Sequence, residues 1–252
     1  MVASEDEGTC TECLGRIPYA SLLALVYCWI GVGVFCSMMY SGINASIRQA
    51  QNVLNFDLPW LDKIQLTFII LAALMCFVAL VLLVIGALAT GETRNTVYNG
   101  WTARLGGRVS CAIFLVLTYV LNLAWLAILV VATLLALAYA AFGSICGTYD
   151  GEAGVTASDC VDFSIFSALL NGTSASPATY ELCGARLREF CSLSKTALPW
   201  YIEAAVGALL VVLGLIHFMV CLSANYAHIK DEIKYYELQE IHKTEIPLDS
   251  IR

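Results

Sequence analysis

Four long stretches of this chain carry almost no charge, and nothing else in the sequence narrows its fold as much. No Asp, Glu, Lys or Arg occurs across 17–47, 64–91 or 109–149, and Glu203 alone interrupts 196–229. Each window exceeds the roughly 20 apolar residues that a helix needs to cross a hydrocarbon core of about 30 Å. Hydrocarbon offers no partner to a backbone N–H or C=O, so only helices and closed barrels cross it. Barrel strands alternate polar and apolar residues over about 10 positions, and these windows do not alternate. With 13% charged residues and a mean hydropathy of +0.77, against about a quarter charged in a soluble domain, a soluble fold is excluded.

The expected fold class is an all-α integral membrane protein, a four-transmembrane-helix bundle with a small disulfide-stapled exoplasmic loop between helices three and four. The expected spans are 19–43, 66–90, 110–142 and 200–223. They leave an amino-terminal tail 1–18, a first exoplasmic loop 44–65, a cytosolic loop 91–109, a second exoplasmic loop 143–199 and a carboxy-terminal tail 224–252. The opening residues MVASEDEGTCTEC lack the basic flank and small-residue cleavage site of a signal peptide, so the first span is expected to act as an uncleaved signal anchor.

Three features point to cytosolic termini. Lys and Arg number 8 on the side of the termini and 5 on the other, the bias of the positive-inside rule. Cys146, Cys160, Cys183 and Cys191 lie in or beside the second loop, where an oxidising compartment would pair them. The same loop holds the glycosylation sequon Asn171-Gly172-Thr173. The Asn44-Ala45-Ser46 sequon ends the first span, too near the membrane for modification. Four cysteines permit three pairings. The favoured one is nested: Cys146 to Cys191 closes the base of the loop and Cys160 to Cys183 staples its interior. The first loop, counted from Arg48 to Lys63, has no cysteine and reads as a connector.

Chemistry-bearing residues are sparse. There is no HExxH, phosphate-binding loop, dinucleotide fingerprint or serine elbow, so an enzyme is not expected, nor is a cofactor, a metal or a nucleic-acid partner. Cys10-Thr11-Glu12-Cys13 has half of a zinc spacing and no second half. Thiols just before a membrane helix suit palmitoylation instead, which assigns Cys10 and Cys13, with Cys111 and Cys221 as weaker candidates. Glu203 and His217 are the intramembrane polar residues. Ionisable groups in a span are suspects for transport, but these two lie about 21 Å apart by helical rise. Glu203 reads as an interfacial anchor, and His217 as a hydrogen-bond partner of another helix or of a lipid headgroup. A channel or transporter component using both is the alternative. Gly31, Gly33, Ala204, Gly207, Ala208 and Gly214 are either close-packing positions or chance, with neither reading favoured. Beyond Ser223 the spacing of Tyr226, Ile229, Ile233 and Tyr236 extends helix four into the cytosol until Pro247 stops it.

The run Cys13-Leu14-Gly15-Arg16-Ile17-Pro18-Tyr19-Ala20-Ser21-Leu22, followed by Gly31-Val32-Gly33-Val34-Phe35-Cys36, resembles the entry of the myelin proteolipid protein family into its first helix. Leu117-Thr118-Tyr119, Leu123-Ala124-Trp125-Leu126, His217, Leu222-Ser223-Ala224-Asn225-Tyr226-Ala227 and Ile229-Lys230-Asp231 extend the resemblance through helices three and four, on the side of the M6 neuronal membrane glycoproteins. The family's nested disulfides map onto Cys146 to Cys191 and Cys160 to Cys183, and its palmitoylated tail cysteines onto Cys10 and Cys13. Ser37-Met38-Met39-Tyr40, Ala87-Leu88-Ala89-Thr90-Gly91 and the absence of a long basic insert depart from the family pattern and suggest a divergent, invertebrate-type member. A tetraspanin would show Cys-Cys-Gly in this loop, and a claudin would carry its larger loop after helix one.

The resemblance implies a non-enzymatic plasma-membrane glycoprotein that organises membrane domains, cell–cell contacts or junctions, or cell projections. Its partners would be membrane lipids and other membrane or junction proteins in cis or in trans, with a homo-oligomer among the expectations.

Overall fold

The computed structural model describes residues 19–53, 61–88, 101–148, 156, 159–162 and 181–249. Helix α1 spans Tyr19–Arg48 and continues as a π-helical turn over Gln49–Val53. Helix α2 is Leu61–Leu88 and α3 is Trp101–Gly147. The short strands β1 (Cys160–Asp162) and β2 (Glu181–Cys183) precede α4, Gly184–Asp249. All four helices contain a segment long and apolar enough to cross a membrane.

The helices run beyond the expected spans. The first helix continues to Val53, so residues 44–53 of the expected first exoplasmic loop are helical, among them the opening residues of the stretch 48–63 that reads as a connector. Helix α3 starts at Trp101, inside the expected cytosolic loop, and α4 starts at Gly184, inside the expected exoplasmic loop. Hydropathy detects only the segment that lipid must solvate, whereas a helix persists for as long as a neighbour covers one of its faces. Pro199 illustrates this. It forgoes one i→i−4 bond, at a cost of about 3 kcal/mol or more, yet α4 passes through it because Leu187, Phe190, Cys191, Ser194 and Ala197 before it are all buried. Pro247 does not stop α4 either; the helix ends two residues later, at Asp249.

Buried positions recur every seven residues on each helix. On α4 they are Leu187, Ser194, Tyr201, Ala208, Leu215, Leu222 and Ile229; on α3, Cys111, Thr118, Trp125, Ala132, Tyr139 and Cys146. On α1 the series is Ser21, Cys28, Phe35, Gly42 and Gln49, and on α2 it is Phe68, Met75 and Leu82. A seven-residue repeat is the spacing of helices that pack side chains knobs-into-holes.

The chain divides into two compact units, each drawing on all four helices. The terminal unit takes residues 1–30, 74–126 and 210–252, and the loop unit takes 31–73 and 127–209. In the terminal unit, α1 crosses α4 where a Cβ on Gly214 would lie 2.9 Å from the Ala24 carbonyl oxygen and 2.7 Å from the Cys28 sulfur. It meets α2 where Ser21 Oγ would be 2.6 Å from a Cβ on Gly86. The Trp125 indole N–H points at Met75 Sδ, 3.2 Å away, and Cys111, Tyr226 and Ile229 form a small cluster. The stripe beyond Ser223 is therefore covered at Ile229 by Cys111 of α3. A cleft of about 160 Å³ between α2 and α3 is lined by Phe77, Val81, Leu82, Phe114, Leu117 and Thr118 among others.

In the loop unit a Cβ on Gly207 would lie 2.6 Å from the Phe35 amide nitrogen and 2.9 Å from the Gly31 carbonyl oxygen. Removing that Cβ is what brings the backbones of α1 and α4 together. Gly31 and Gly207 are thus close-packing positions, as are the buried Ala204 and Ala208. Gly33 is not, since no atom would come within 4 Å of its Cβ.

Candidate functional site: a stapled head over a buried polar lattice

The loop unit carries the features that sequence and geometry together single out. Two disulfides join Cys146 to Cys191 and Cys160 to Cys183, 45 and 23 residues apart in sequence. The first ties the end of α3 to the start of α4. The second links the paired residues of the antiparallel β1–β2 ladder, whose register sets Cys160 opposite Cys183, Val161 opposite Leu182 and Asp162 opposite Glu181. Gly184 follows directly with φ of 54°, a left-handed conformation that glycine adopts without strain, and its N–H donates to the Asp159 carbonyl at 3.1 Å. That turn converts β2 into α4.

Around the first disulfide, Val53, Leu182, Leu187 and Phe190 form a buried apolar cluster, with Phe142, Val161 and Leu193 packed against it. The Phe142 and Phe190 rings meet edge to face at 5.4 Å. Val53 brings the π-helical end of α1 into this head, and at the surface Asn52 Nδ2 donates to Glu189 Oε1 at 3.2 Å.

A lattice of hydrogen bonds runs between α1, α3 and α4 in the same unit. Ser46 Oγ lies 2.6 Å from both the Tyr139 and the Tyr201 hydroxyls and 3.0 Å from the Gly42 carbonyl oxygen. Tyr139 donates to Gln49 Oε1 at 3.0 Å, and Gln49 Nε2 donates to Ser194 Oγ at 2.9 Å, with the Phe190 carbonyl at 3.5 Å. Counting protons orders the chain. Tyr139 uses its one O–H in the bond to Gln49, so Ser46 donates to Tyr139, its own O–H shared with the Gly42 carbonyl, and Tyr201 donates to Ser46. The Tyr139 and Tyr201 rings lie 5.0 Å apart. Gln49, Ser194 and Tyr201 are each at least 95% buried, so an unmade bond here would cost the full desolvation of the group left over. These bonds fix the relative positions of α1, α3 and α4 in this unit.

The structure does not bring Glu203 and His217 together. Glu203 lies on an exposed face of α4. His217 Nδ1 pairs at 2.9 Å with the Leu213 carbonyl of its own helix, not with another helix, and its ring stands 5.7 Å from that of Tyr27. Neither lines the α2–α3 cleft. Cys111 is fully buried, which removes it as an acylation site, whereas Cys221 is half-buried. Cys10, Cys13 and Asn171 lie outside the described residues. Among the described residues no group of three His, Cys, Asp or Glu side chains could hold a metal ion.

Sequence reasoning missed Ser46, Gln49, Tyr139, Ser194 and Tyr201. A signal for part of the lattice was present: seven residues before Cys146 stands Tyr139, and seven and fourteen after Leu187 stand Ser194 and Tyr201.

Fold and site together define a four-pass integral membrane protein whose third and fourth helices are joined by a disulfide-bonded loop. A profile of the Myelin proteolipid protein (PLP or lipophilin) family matches residues 7–234, and the chain belongs to that family. It is 28% identical to human (Homo sapiens) neuronal membrane glycoprotein M6-a over 250 residues, covering 92% of this chain and 88% of the relative. Neuronal membrane glycoprotein M6-b of Mus musculus is also 28% identical, covering 94% of this chain and 74% of the relative. Proteolipid protein DM beta of Squalus acanthias is 27% identical, covering 92% and 88%. No solved structure matches the chain.

Proposed function

We propose that this protein is a non-enzymatic plasma-membrane glycoprotein that organises membrane domains and cell–cell contacts or junctions. The observation that carries this reading is the head: two disulfides and a buried cluster hold a small folded surface directly on the ends of three helices. A surface held in this way can meet a protein in the same or an opposing membrane without paying to order itself on binding. In this reading both termini are cytosolic, Asn171 is glycosylated in the exoplasmic loop, and palmitoylated Cys10 and Cys13 hold the amino-terminal tail against the inner leaflet. Its spans keep the sequence boundaries 19–43, 66–90, 110–142 and 200–223, with helix ends standing clear of the hydrocarbon. Lipids and junction proteins are its partners.

Proximity labelling at the surface of cells expressing the protein tests this directly. Enrichment of adhesion or junction proteins is expected, and labelled neighbours with no such enrichment would remove the contact reading. Reconstitution into liposomes separates it from a channel: selective ion flux lost on Glu203→Gln would replace the organiser with a conduction role.

A further inference from the structure

The two covalent ties of the head leave out one of its members. The Cys146–Cys191 bond joins α3 to α4, and the Cys160–Cys183 bond lies within the β1–β2 pair. The end of α1 has no covalent link to either. Yet Ser46 and Gln49, one helical turn apart, each reach both of the helices that the disulfide joins. Ser46 contacts Tyr139 on α3 and Tyr201 on α4, while Gln49 contacts Tyr139 on α3 and Ser194 on α4. Val53 closes the cluster beside the sulfur atoms.

We propose that the end of α1 is a reduction-tolerant clasp, a second and non-covalent closure of α3 on α4 that keeps the head assembled when the Cys146–Cys191 bond is opened. Three features support this. The clasp spans the same pair of helices as the bond, so it duplicates that closure. Its donors and acceptors are paired and buried, so separating α3 from α4 would strand the Tyr139 hydroxyl, the Gln49 amide and the Ser194 hydroxyl in an apolar setting. Direct aromatic contacts between α3 and α4, Tyr139 with Tyr201 and Phe142 with Phe190, flank it. The chemistry of the opening step is that of any phosphine reductant. The S–S bond breaks, the phosphine takes up an oxygen atom from water and becomes its oxide, and the two sulfurs leave as protonated thiols. None of this touches α1. The inference is independent of what the head binds and of which side of the membrane it occupies.

The experiment uses the full chain purified into lipid nanodiscs, as wild type, Gln49→Leu and Tyr139→Phe, each with and without tris(2-carboxyethyl)phosphine. Hydrogen exchange of peptides covering 136–148 and 184–201, with alkylation rates of Cys146 and Cys191, reads the state of the head. Reduced wild type is expected to stay within about twofold of its oxidised exchange, while reduced Gln49→Leu rises about tenfold or more. With the bond intact the variants should exchange no more than about threefold faster than wild type in these peptides, because the disulfide still closes α3 on α4 even where overall stability falls. If Gln49→Leu does not assemble even when oxidised, Tyr139→Phe, which removes one hydroxyl and keeps the ring, decides the matter. Reduced wild type opening by the same factor as reduced Tyr139→Phe would overturn the clasp and leave the disulfide as the sole closure.

Discussion

Tyr139 on α3 donates its hydroxyl proton to Gln49 on α1 at 3.0 Å, one helical turn from where Ser46 meets both Tyr139 and Tyr201. A phenol and an amide buried at this depth hold each other because neither has water to return to. Replacing Gln49 with Leu removes one partner from each of two hydroxyls, and a loss of about 1–3 kcal/mol in stability is expected, against about 1 kcal/mol for Tyr139→Phe. Thermal unfolding of the purified variants with the disulfides intact checks the order; equal effects would mean that the amide is not the hub of the lattice.

Gly207 and Gly33 make opposite predictions from the same residue type. A Cβ on Gly207 meets the backbone of α1 at 2.6 Å, whereas one on Gly33 meets nothing within 4 Å. Gly207→Leu should therefore force α1 and α4 apart, costing about 1–3 kcal/mol or more, with reduced cellular abundance and a broadened elution profile. Gly33→Leu should change stability by no more than about 0.5 kcal/mol.

The two disulfides should differ in worth. The outer bond spans 45 residues and the inner 23, which loop-closure entropy converts to about 4 and about 3 kcal/mol. Paired Cys→Ser variants at 146 and 191 are expected to lower the unfolding midpoint more than those at 160 and 183. A larger loss from the inner pair would show that the β1–β2 hairpin, not the closure of α3 on α4, governs the head.

Asn122 is 6% exposed on α3, and its Oδ1 has no hydrogen-bond partner among the described residues. A buried acceptor without a donor carries its desolvation cost uncompensated. Asn122→Leu is expected to be neutral or to stabilise the protein by about 1 kcal/mol, measured by the unfolding midpoint. A clear destabilisation would mean that this amide has a hydrogen-bond partner after all.

Gly184 turns β2 into α4 at a φ of 54°. A side chain there meets the left-handed penalty of about 1–2 kcal/mol, so Gly184→Ala should lower stability by that amount and loosen the hairpin first. Faster hydrogen exchange at 181–184 than at 197–204 would show it.

The number of spans, their helical nature and the four cysteines of the loop were legible because each is written locally. A run without charge has one solution in lipid, and cysteines clustered in one loop have few partners. Which face of each helix turns inward was not legible. In water an apolar residue on a helix reports burial, but here Leu123 and Leu126 are exposed and apolar while Trp125 between them is buried. The inward series on α1, with Ser, Cys, Phe, Gly and Gln, has no common chemistry, and only its spacing of seven marks it. For the same reason the first loop reads as a connector from residue 48 onward: the polar residues that end the apolar run, Asn44, Ser46, Gln49 and Asn52, include those that bind α1 to its neighbours.

By itself the sequence determined that this chain crosses a membrane four times and belongs among the proteolipid proteins, since solvation by lipid and the presence of cysteine are properties of short segments. The tertiary structure decided how far the helices run and which glycines carry contacts. It also decided that Ser46, Gln49, Tyr139, Ser194 and Tyr201 share one site. Those residues lie as far as 155 positions apart, and a polar group's worth in an apolar interior depends on the partner that reaches it. Only the packed arrangement of α1, α3 and α4 supplies that partner.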